Sequence, residues 1–599
     1  FLFQELQLRR KMKDSVPEEH LYLGFSHQYQ DSIFPLHTSI SLFLLSYCDC
    51  KSFKIFLVPT NENANDHCCL PAVVTKDGKF CRAGLSVVLR HIIQKTFEAD
   101  PSKKNVLELL GFKKTCLKAC AEVSQWTRLC EISIPLAVEG FLTASPEHCQ
   151  TIPADILQLE RKLGEPVRVH NDDKIRRQKL QQQKAEEGKA VEVHEHPLPS
   201  LELSVAFSKL RVQEVSHAVN REAPLIRRTK TSDLPPLDHV FAEGLYFTLA
   251  DIVLLPCIHQ FLVYSKKQGK DLVNLPLISS WYQRVQQVPG VKKAADKCNM
   301  QLLQLPELIP SPEEHREDFF PVPNDFEEEH EDSQFIGGPR PTMTKLMERG
   351  IEAKFSPHPC PDWTIDWTIL PAAVNPGEGK MSRDRALRKQ QQLNNLVAAV
   401  KKLAKPGDMI VDFCSGGGHV GIVLAHMMPS CQVVLIENKE LSLMRAKDRS
   451  DELGLSNISF IQANLDYFNG TFNIGVALHA CGVATDMVIE HCIKARAAFV
   501  ISPCCYGFIQ NTMKFKYPRR NATEPIVFTF PFEHMILCRF ADQTAVHLPP
   551  ERKLIGKQCM GLVDLDRAWA AEECNYSVQV TSMEPESCSP KNNMFVGTP

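Results

Sequence analysis

Apolar and polar positions in the second half of this chain fall into blocks that repeat a strand, a turn and a helix. The apolar run Met409-Ile410-Val411 enters Asp412-Phe413-Cys414-Ser415-Gly416-Gly417-Gly418-His419-Val420-Gly421, and an apolar helical stretch follows at 422–427. Four more apolar runs come after it. Residues 433–436 end in Glu437, 458–463 end at Asn464, 474–478 end in His479-Ala480-Cys481-Gly482, and 498–502 end in Pro503-Cys504-Cys505-Tyr506-Gly507. Continuous apolar runs of strand length, separated by helical stretches, predict a mostly parallel sheet covered on both faces, a doubly wound α/β domain. Upstream lies a helix with Leu393, Leu396, Val397, Val400 and Leu403 on one face. Its start, Lys380-Met381-Ser382-Arg383-Asp384-Arg385-Ala386-Leu387-Arg388-Lys389, is basic where the helix dipole disfavours cations. Both a ligand-facing role and a solvated face fit that placement.

The first hundred residues alternate differently. Leu42-Phe43-Leu44-Leu45-Ser46 and Phe53-Lys54-Ile55-Phe56-Leu57-Val58 read as short strands, or as a strand and a helix end. Leu70-Pro71-Ala72-Val73-Val74 leads through the turn Lys76-Asp77-Gly78-Lys79 to Phe80-Cys81, and 85–94 is apolar at helical spacing. From 98 to 305 the pattern is mainly helical. Thr248 and Asp251 form a capping box before a strongly apolar helix. A charged, Gln-rich insertion at 172–198 predicts a solvated loop or exposed helix, and the Pro- and acid-rich stretch 306–341 predicts a linker. The expected division is therefore 20–97, 98–305, 306–341 and 342–599.

Composition changes this picture little. The 599 residues carry a formal charge of −3 and 44% hydrophobic residues, which favours neither a polyanion nor a membrane partner. The nearest candidate for a bilayer segment, 39–46, has only strand length. The chain starts Phe1-Leu2-Phe3-Gln4 without Met, which suggests a fragment or an uncertain gene model, and no signal-peptide core follows the early basic residues. The 22 cysteines, scattered or in pairs such as Cys68-Cys69, then read as reduced thiols in a cytoplasmic protein.

The glycine turn between strand and helix allows close backbone approach to a ligand and presents free N–H groups. Glu437, about twenty residues on, stands where an acid grips a nucleoside's ribose hydroxyls. With Asp412 before the glycines, this resembles the class I S-adenosylmethionine-dependent methyltransferases. Dinucleotide folds usually start at the first glycine instead. The resemblance implies S-adenosyl-L-methionine as cofactor, held by Asp412, Cys414 (where a first glycine usually sits), Gly416, Gly418, Glu437, Asn464 and Asp466. The segments His479-Ala480-Cys481-Gly482, Ala484-Thr485-Asp486 and Cys504-Cys505-Tyr506 resemble a branch of RNA-modifying methyltransferases that includes a tRNA 2′-O-methyltransferase. The front of the chain resembles a glutathione transferase, a thioredoxin-like domain followed by an all-α bundle, with Pro71 at that fold's cis-proline. Active relatives open a helix with a Glu/Gln-Ser pair that binds glutathione; here Ala83-Gly84 stands in that neighbourhood. Glutathione chemistry is therefore not expected.

The strand tips support several chemistries. His479 suits deprotonation of a ribose hydroxyl. Cys481 with Cys504 or Cys505 suits thiol-assisted methylation of a pyrimidine. The same four residues suit zinc, although no Cys-x-x-Cys unit is present and no metal is assigned. Asp486 and Tyr506 complete the candidate catalytic set, and Tyr506 or Phe508 could stack on a base. The expected substrate is RNA, contacted by Arg383, Arg385, Arg388 and Lys389 and by the second basic group Lys514, Lys516, Arg519 and Arg520. The helical region is expected to be a docking platform for a protein partner or a homodimer, with no membrane association. Two alternatives remain open, a methyltransferase for protein or small molecules and a non-catalytic scaffold.

Overall fold

The computed structural model describes residues 19–25, 34–59, 69–144, 151–167, 172–187, 200–210, 229–269, 275–305, 339–379, 381–519, 531–545 and 547–599. The chain divides into two compact units: residues 20–61 with 88–320, and residues 1–19, 62–87 and 321–599. The expected linker at 306–341 lies almost wholly outside the described residues, as does the second half of the insertion at 172–198.

In the first unit, β1 (Glu19–Phe25) lies beside β2 (Phe53–Pro59). Its helices include α1 (Leu36–Cys48), α2 (Leu85–Ala99), α3 (Ile134–Thr143), α4 (Ala154–Gly164), α5 (Asp173–Glu187), α6 (Leu249–Lys267), α7 (Pro276–Gln286) and α8 (Val291–Lys297). Of the two readings of 42–46 and 53–58, the structure takes the second: 42–46 lies toward the C-terminal end of α1, and 53–58 is strand β2. The insertion contributes α5, tied down by Arg176 donating to the carbonyls of Leu234 and Pro235.

Helix α6 is the axis of this unit and packs against α1 and α3. The Thr248 N–H donates to Asp251 Oδ2 at 2.8 Å, closing the capping box. Asp251 Oδ1 also accepts from the Ala242 N–H and from Trp281 Nε1, each at 2.8 Å. One buried carboxylate therefore ties α6, a loop and α7 together. Burial pushes it up to about 6 even against those donors. Glu160 does the same for α7, accepting from the free N–H groups of Leu277 and Ile278. Among the described residues α6 is also the one helix long and apolar enough to cross a membrane, a feature that the sequence reading passed over. It is a core helix here, with 78% of its apolar window buried.

The second unit is built on a mostly parallel sheet. Its strands are β3 (Ala72–Val74), β4 (Phe80–Ala83), β5 (Met409–Phe413), β6 (Gln432–Glu437), β7 (Ile458–Gln462), β8 (Ile474–Cys481), β9 (Ala498–Cys504), β10 (Ser577–Ser582) and β11 (Asn593–Thr598). The order within this unit is β10-β11-β9-β8-β5-β6-β7-β4-β3. From β9 through β4 the pairings are parallel, and β3, β10 and β11 add antiparallel edges. Its helices are α9 (Arg383–Leu403), α10 (His419–Met427), α11 (Glu440–Glu452), α12 (Ala484–Ala495), α13 (Pro531–Asp542) and α14 (Pro550–Glu572). The order reverses between β5 and β8, and a doubly wound sheet binds ligand in the crevice beyond those strand ends.

Residues 62–87 were expected within an N-terminal domain and are placed in this unit. β4 pairs in parallel with β7, setting Phe80 opposite Phe460, Cys81 opposite Ile461 and Arg82 opposite Gln462. The Phe80 and Phe460 rings stack at 6.3 Å, and buried Arg82 reaches Glu440 at 2.7 Å. The Leu70–Pro71 peptide is cis, and the Gly84 N–H donates to the Pro71 carbonyl. Gly84 has φ +93, and a Cβ there would meet the Tyr467 ring at 2.6 Å. The space that a side chain at position 84 would need is filled by Tyr467.

Gly84→Ser must force that ring aside and strain a left-handed backbone, so it should destabilise this unit by about 2–4 kcal/mol. Chemical unfolding of the full chain measures this. An unchanged midpoint would mean that Tyr467 does not close the position.

Candidate functional site

The glycine turn after β5 is held by two carboxylates. Asp412, 1% exposed, accepts from the Gly421 N–H at 2.9 Å, and Glu437 at the end of β6 accepts from the Gly416 N–H at 2.9 Å. The other Glu437 oxygen takes the Lys439 N–H at 2.8 Å. Cys414, Gly416 and Gly418 all have positive φ, at 54°, 54° and 73°. The glycines serve different ends. A Cβ on Gly418 would strike Ala446 and Leu435, so that glycine lets α10 pack close against β6. A Cβ on Gly416 would meet nothing within 4 Å; the space over it is open. Beside this loop Ser415 Oγ and Asn464 Oδ1 are buried without a hydrogen-bond partner, and Asp466 follows on the turn at 465–467.

Burial pushes Asp412 up to about 7, with Glu437 adding to the effect and the Gly421 N–H and Lys389 opposing it. Lys389 was read from sequence as a phosphate contact. Its neighbours place it inward instead: burial holds its ammonium below the ordinary value, against the pull of Asp412 and Cys504. Arg449, which no local sequence pattern flagged, clamps the loop. It donates to the carbonyls of Gly417 and Ala373 and lies 3.2 Å from His419 Nδ1.

Across the switch point, the ladder between β8 and β9 shifts register between Leu478 and Ala480, and His479 takes a φ of +67. Its Nε2 lies 3.0 Å from Gln392 Oε1. The Gln392 amide is oriented because its Nε2 donates to the Cys588 carbonyl at 2.8 Å. Nε2 of His479 must then carry the proton, which leaves Nδ1 as the acceptor. Burial, with Lys389 and Lys591 nearby, lowers His479 to about 4, so the ring is neutral at physiological pH.

The cysteines expected at the tips do converge. Cys481 Sγ lies 3.1 Å from Cys504 Sγ, which lies 3.6 Å from Cys505 Sγ. A hydrogen bond from the Cys504 thiol lowers exposed Cys481 to about 6, while Cys504 itself is raised. Asp486 and Tyr506 belong elsewhere. Asp486 accepts from Tyr517 Oη at 2.6 Å and pairs with Arg567 at 3.2 Å; Tyr506 Oη donates to Asp564 at 2.7 Å. Both side chains are sealed in a buried charge network behind the tips, a supporting position rather than a catalytic one.

The basic residues also separate. Arg383 and Arg385 are exposed at the start of α9 and Arg388 is half-buried. In the second group Lys514 pairs with Glu490 at 2.6 Å, and Arg519 lies over the Phe515 ring while its backbone N–H donates to Asp566. Lys380 and Arg520 lie outside the described residues. Tyr506 is fully buried, whereas Phe508 is 71% exposed.

Comparisons with known proteins agree with this geometry. The family described as "Methyltransferase domain" matches residues 388–512. The glutathione S-transferase C-terminal domain-containing protein of Homo sapiens is 67% identical, covering 98% of this chain and 99% of its own length. A Drosophila melanogaster protein named as a homolog of it is 34% identical over 91% of this chain and 89% of its own. The ribosomal RNA small subunit methyltransferase G of Francisella philomiragia subsp. philomiragia is 36% identical over 75 residues, 12% of this chain and 36% of its own. The doubly wound unit is thus a methyltransferase domain, and its cofactor is S-adenosylmethionine. The site fits that molecule: open space over Gly416, unsatisfied buried polar atoms at Ser415 and Asn464, and a carboxylate at the end of β6.

Glu437→Ala removes a carboxylate placed for the ribose hydroxyls. A charged hydrogen bond is worth roughly 1.5–3 kcal/mol, so cofactor affinity should fall on the order of tenfold to a hundredfold by calorimetry. Unchanged affinity would remove Glu437 from the site. Asp412 adds a pH dependence. It is protonated in the free protein below about 7, and a cationic ligand favours its ionised form. Affinity should therefore tighten as pH rises through about 7, with proton release on binding. Affinity flat from pH 6 to 8 would count against that contact.

Proposed function

We propose that this chain, which belongs to the family of glutathione S-transferase C-terminal domain-containing proteins, is an RNA methyltransferase whose helical front region docks a partner without glutathione chemistry. The observation that carries the RNA reading is the course of α9. The helix starts with exposed Arg383 and Arg385 and six residues later, about 9 Å along its axis, carries Lys389 within electrostatic reach of Asp412 and Cys504. A cationic surface and the reactive crevice are thus one rigid element. Exposed Phe508, just past the cysteines, offers a face on which an unpaired base can stack. The partial match to a ribosomal RNA methyltransferase supports the same substrate class.

When bound, S-adenosylmethionine would supply an electrophilic methyl group. Glu437 and Asn464 would hold and orient the nucleoside end of the donor, and Asp412 would hold the methionine end. Neutral His479, locked by Gln392, presents Nδ1 to accept a proton or hydrogen bond from the acceptor. The filled position at Gly84 supports the absence of glutathione chemistry.

Replacing both Arg383 and Arg385 with Glu should weaken binding of single-stranded RNA while sparing cofactor affinity. Two lost phosphate contacts should also reduce the slope of log affinity against log salt by about 1.4. Titrations at several salt concentrations measure both. Binding that survives the double change with the same slope, or no RNA binding by the wild type at low salt, would turn the reading toward a protein or small-molecule acceptor.

A further inference from the structure

We propose that Cys481, Cys504 and Cys505 form a three-thiolate site for a soft divalent cation, zinc, at the acceptor end of the methyltransferase domain. Their sulfur atoms all lie within 4.8 Å of one another. Tetrahedral zinc with sulfur at about 2.3 Å needs sulfurs about 3.8 Å apart, so the observed 3.1 and 3.6 Å require only small side-chain shifts.

The backbone builds this convergence. Successive side chains on a strand point to opposite faces, so Cys504 and Cys505 would diverge if β9 simply continued. Cys505 instead turns left-handed, with φ 51° and ψ 54°, and brings both sulfurs to one side. β8 supplies the third sulfur from the neighbouring strand, and its end is paired in register, Cys481 opposite Cys504.

The surrounding charge fits as well. Three thiolates around a dication leave a net charge of −1. Lys389 acts on Cys504, and Lys591 acts on Cys481 and Cys505. Positive charge at these lysines offsets the excess negative charge that three thiolates leave on the site. Lys591 is itself anchored to Asp542 at 2.7 Å. His479 is not a fourth ligand: it stands outside this cluster, with its Nε2 held by Gln392. A site with three protein ligands leaves one coordination position open, as catalytic zinc sites do. Cys481 is exposed, so that position is reachable from solvent on the face where the methyl acceptor must arrive.

The test uses the full chain, expressed with zinc and purified under reducing conditions without chelator. Metal analysis should find about one more zinc per chain in the wild type than in the double variant Cys481→Ser, Cys505→Ser. Cobalt exchanged into the wild type should give a sulfur-to-cobalt charge-transfer absorption that the variant lacks. Cofactor affinity of the variant, measured by calorimetry, reports whether it folds. A third measurement needs no variant: zinc should slow alkylation of wild-type Cys481 by iodoacetamide roughly tenfold or more, followed by peptide mass mapping. The proposal is overturned if a folded double variant holds as much zinc as the wild type, if the cobalt spectrum lacks sulfur absorption, or if zinc leaves alkylation of Cys481 unchanged. None of these readouts involves RNA, so their failure leaves the RNA reading intact, and the converse also holds.

Discussion

A guanidinium taken out of water is tied to the carboxylates around it, and in the methyltransferase domain one such cluster fixes the reactive end. Arg567, on α14, is 1% exposed. It donates to the Gly482 carbonyl at 3.0 Å, pairs with Asp486 at 3.2 Å and lies 3.7 Å from Asp564. Each partner carries a further load. Asp486 holds Tyr517, Asp564 holds Tyr506 and Asn593, and Gly482 directly follows Cys481. Removing one partner from such a buried set costs roughly 3–5 kcal/mol, because it strands a charge in low dielectric. The tips of β8 and β9 cannot drift apart without breaking it.

The two halves of the crevice are thus built from different materials. The donor side depends on backbone N–H groups meeting carboxylates, at Gly416 with Glu437 and Gly421 with Asp412. Such contacts need only glycines and two acids close in sequence. The acceptor side depends on side chains from α9, α14 and the strand tips, gathered from across the domain. Lys389 belongs to both, since Asp412 and Cys504 both act on it. The charge of this one buried cation is thus felt on both sides of the crevice.

This difference also explains what could be read in advance. The glycine turn, the second-strand acid and the order of apolar runs are local patterns, and so is the capping box of Thr248 and Asp251. Their spacing states the structure. The roles of Asp486 and Tyr506 could not be read that way. Both stand at strand tips in sequence, but the partners that draw them inward, Asp564 for Tyr506 and Arg567 for Asp486, lie some sixty to eighty residues on, in a helix of unremarked pattern. Lys389 misled for a similar reason: in sequence it is one more cation in a basic run, and only the packing of α9 over β8 and β9 turns it inward. Residues 42–46 stayed open between strand and helix end for a shorter-range reason, because an apolar run of strand length is also what the buried face of a helix looks like.

The pairing of β4 with β7 is the longest-range case, joining residues about 380 apart in sequence. An unpaired β7 would leave a row of backbone groups along the edge of the parallel sheet, open to other chains. β3 and β4 cover that edge, and their attachment is not generic: Arg82 pairs with Glu440, Lys79 donates to the Leu455 carbonyl, and Gly84 leaves room for Tyr467. Tyr467 sits on the turn that also carries Asp466, directly after Asn464 at the cofactor crevice. Residues 69–87 therefore support the turn at 465–467 next to the cofactor crevice, and the sheet of the methyltransferase domain is extended by them. Position 84 shows how tight that attachment is, since any side chain there would collide with the Tyr467 ring.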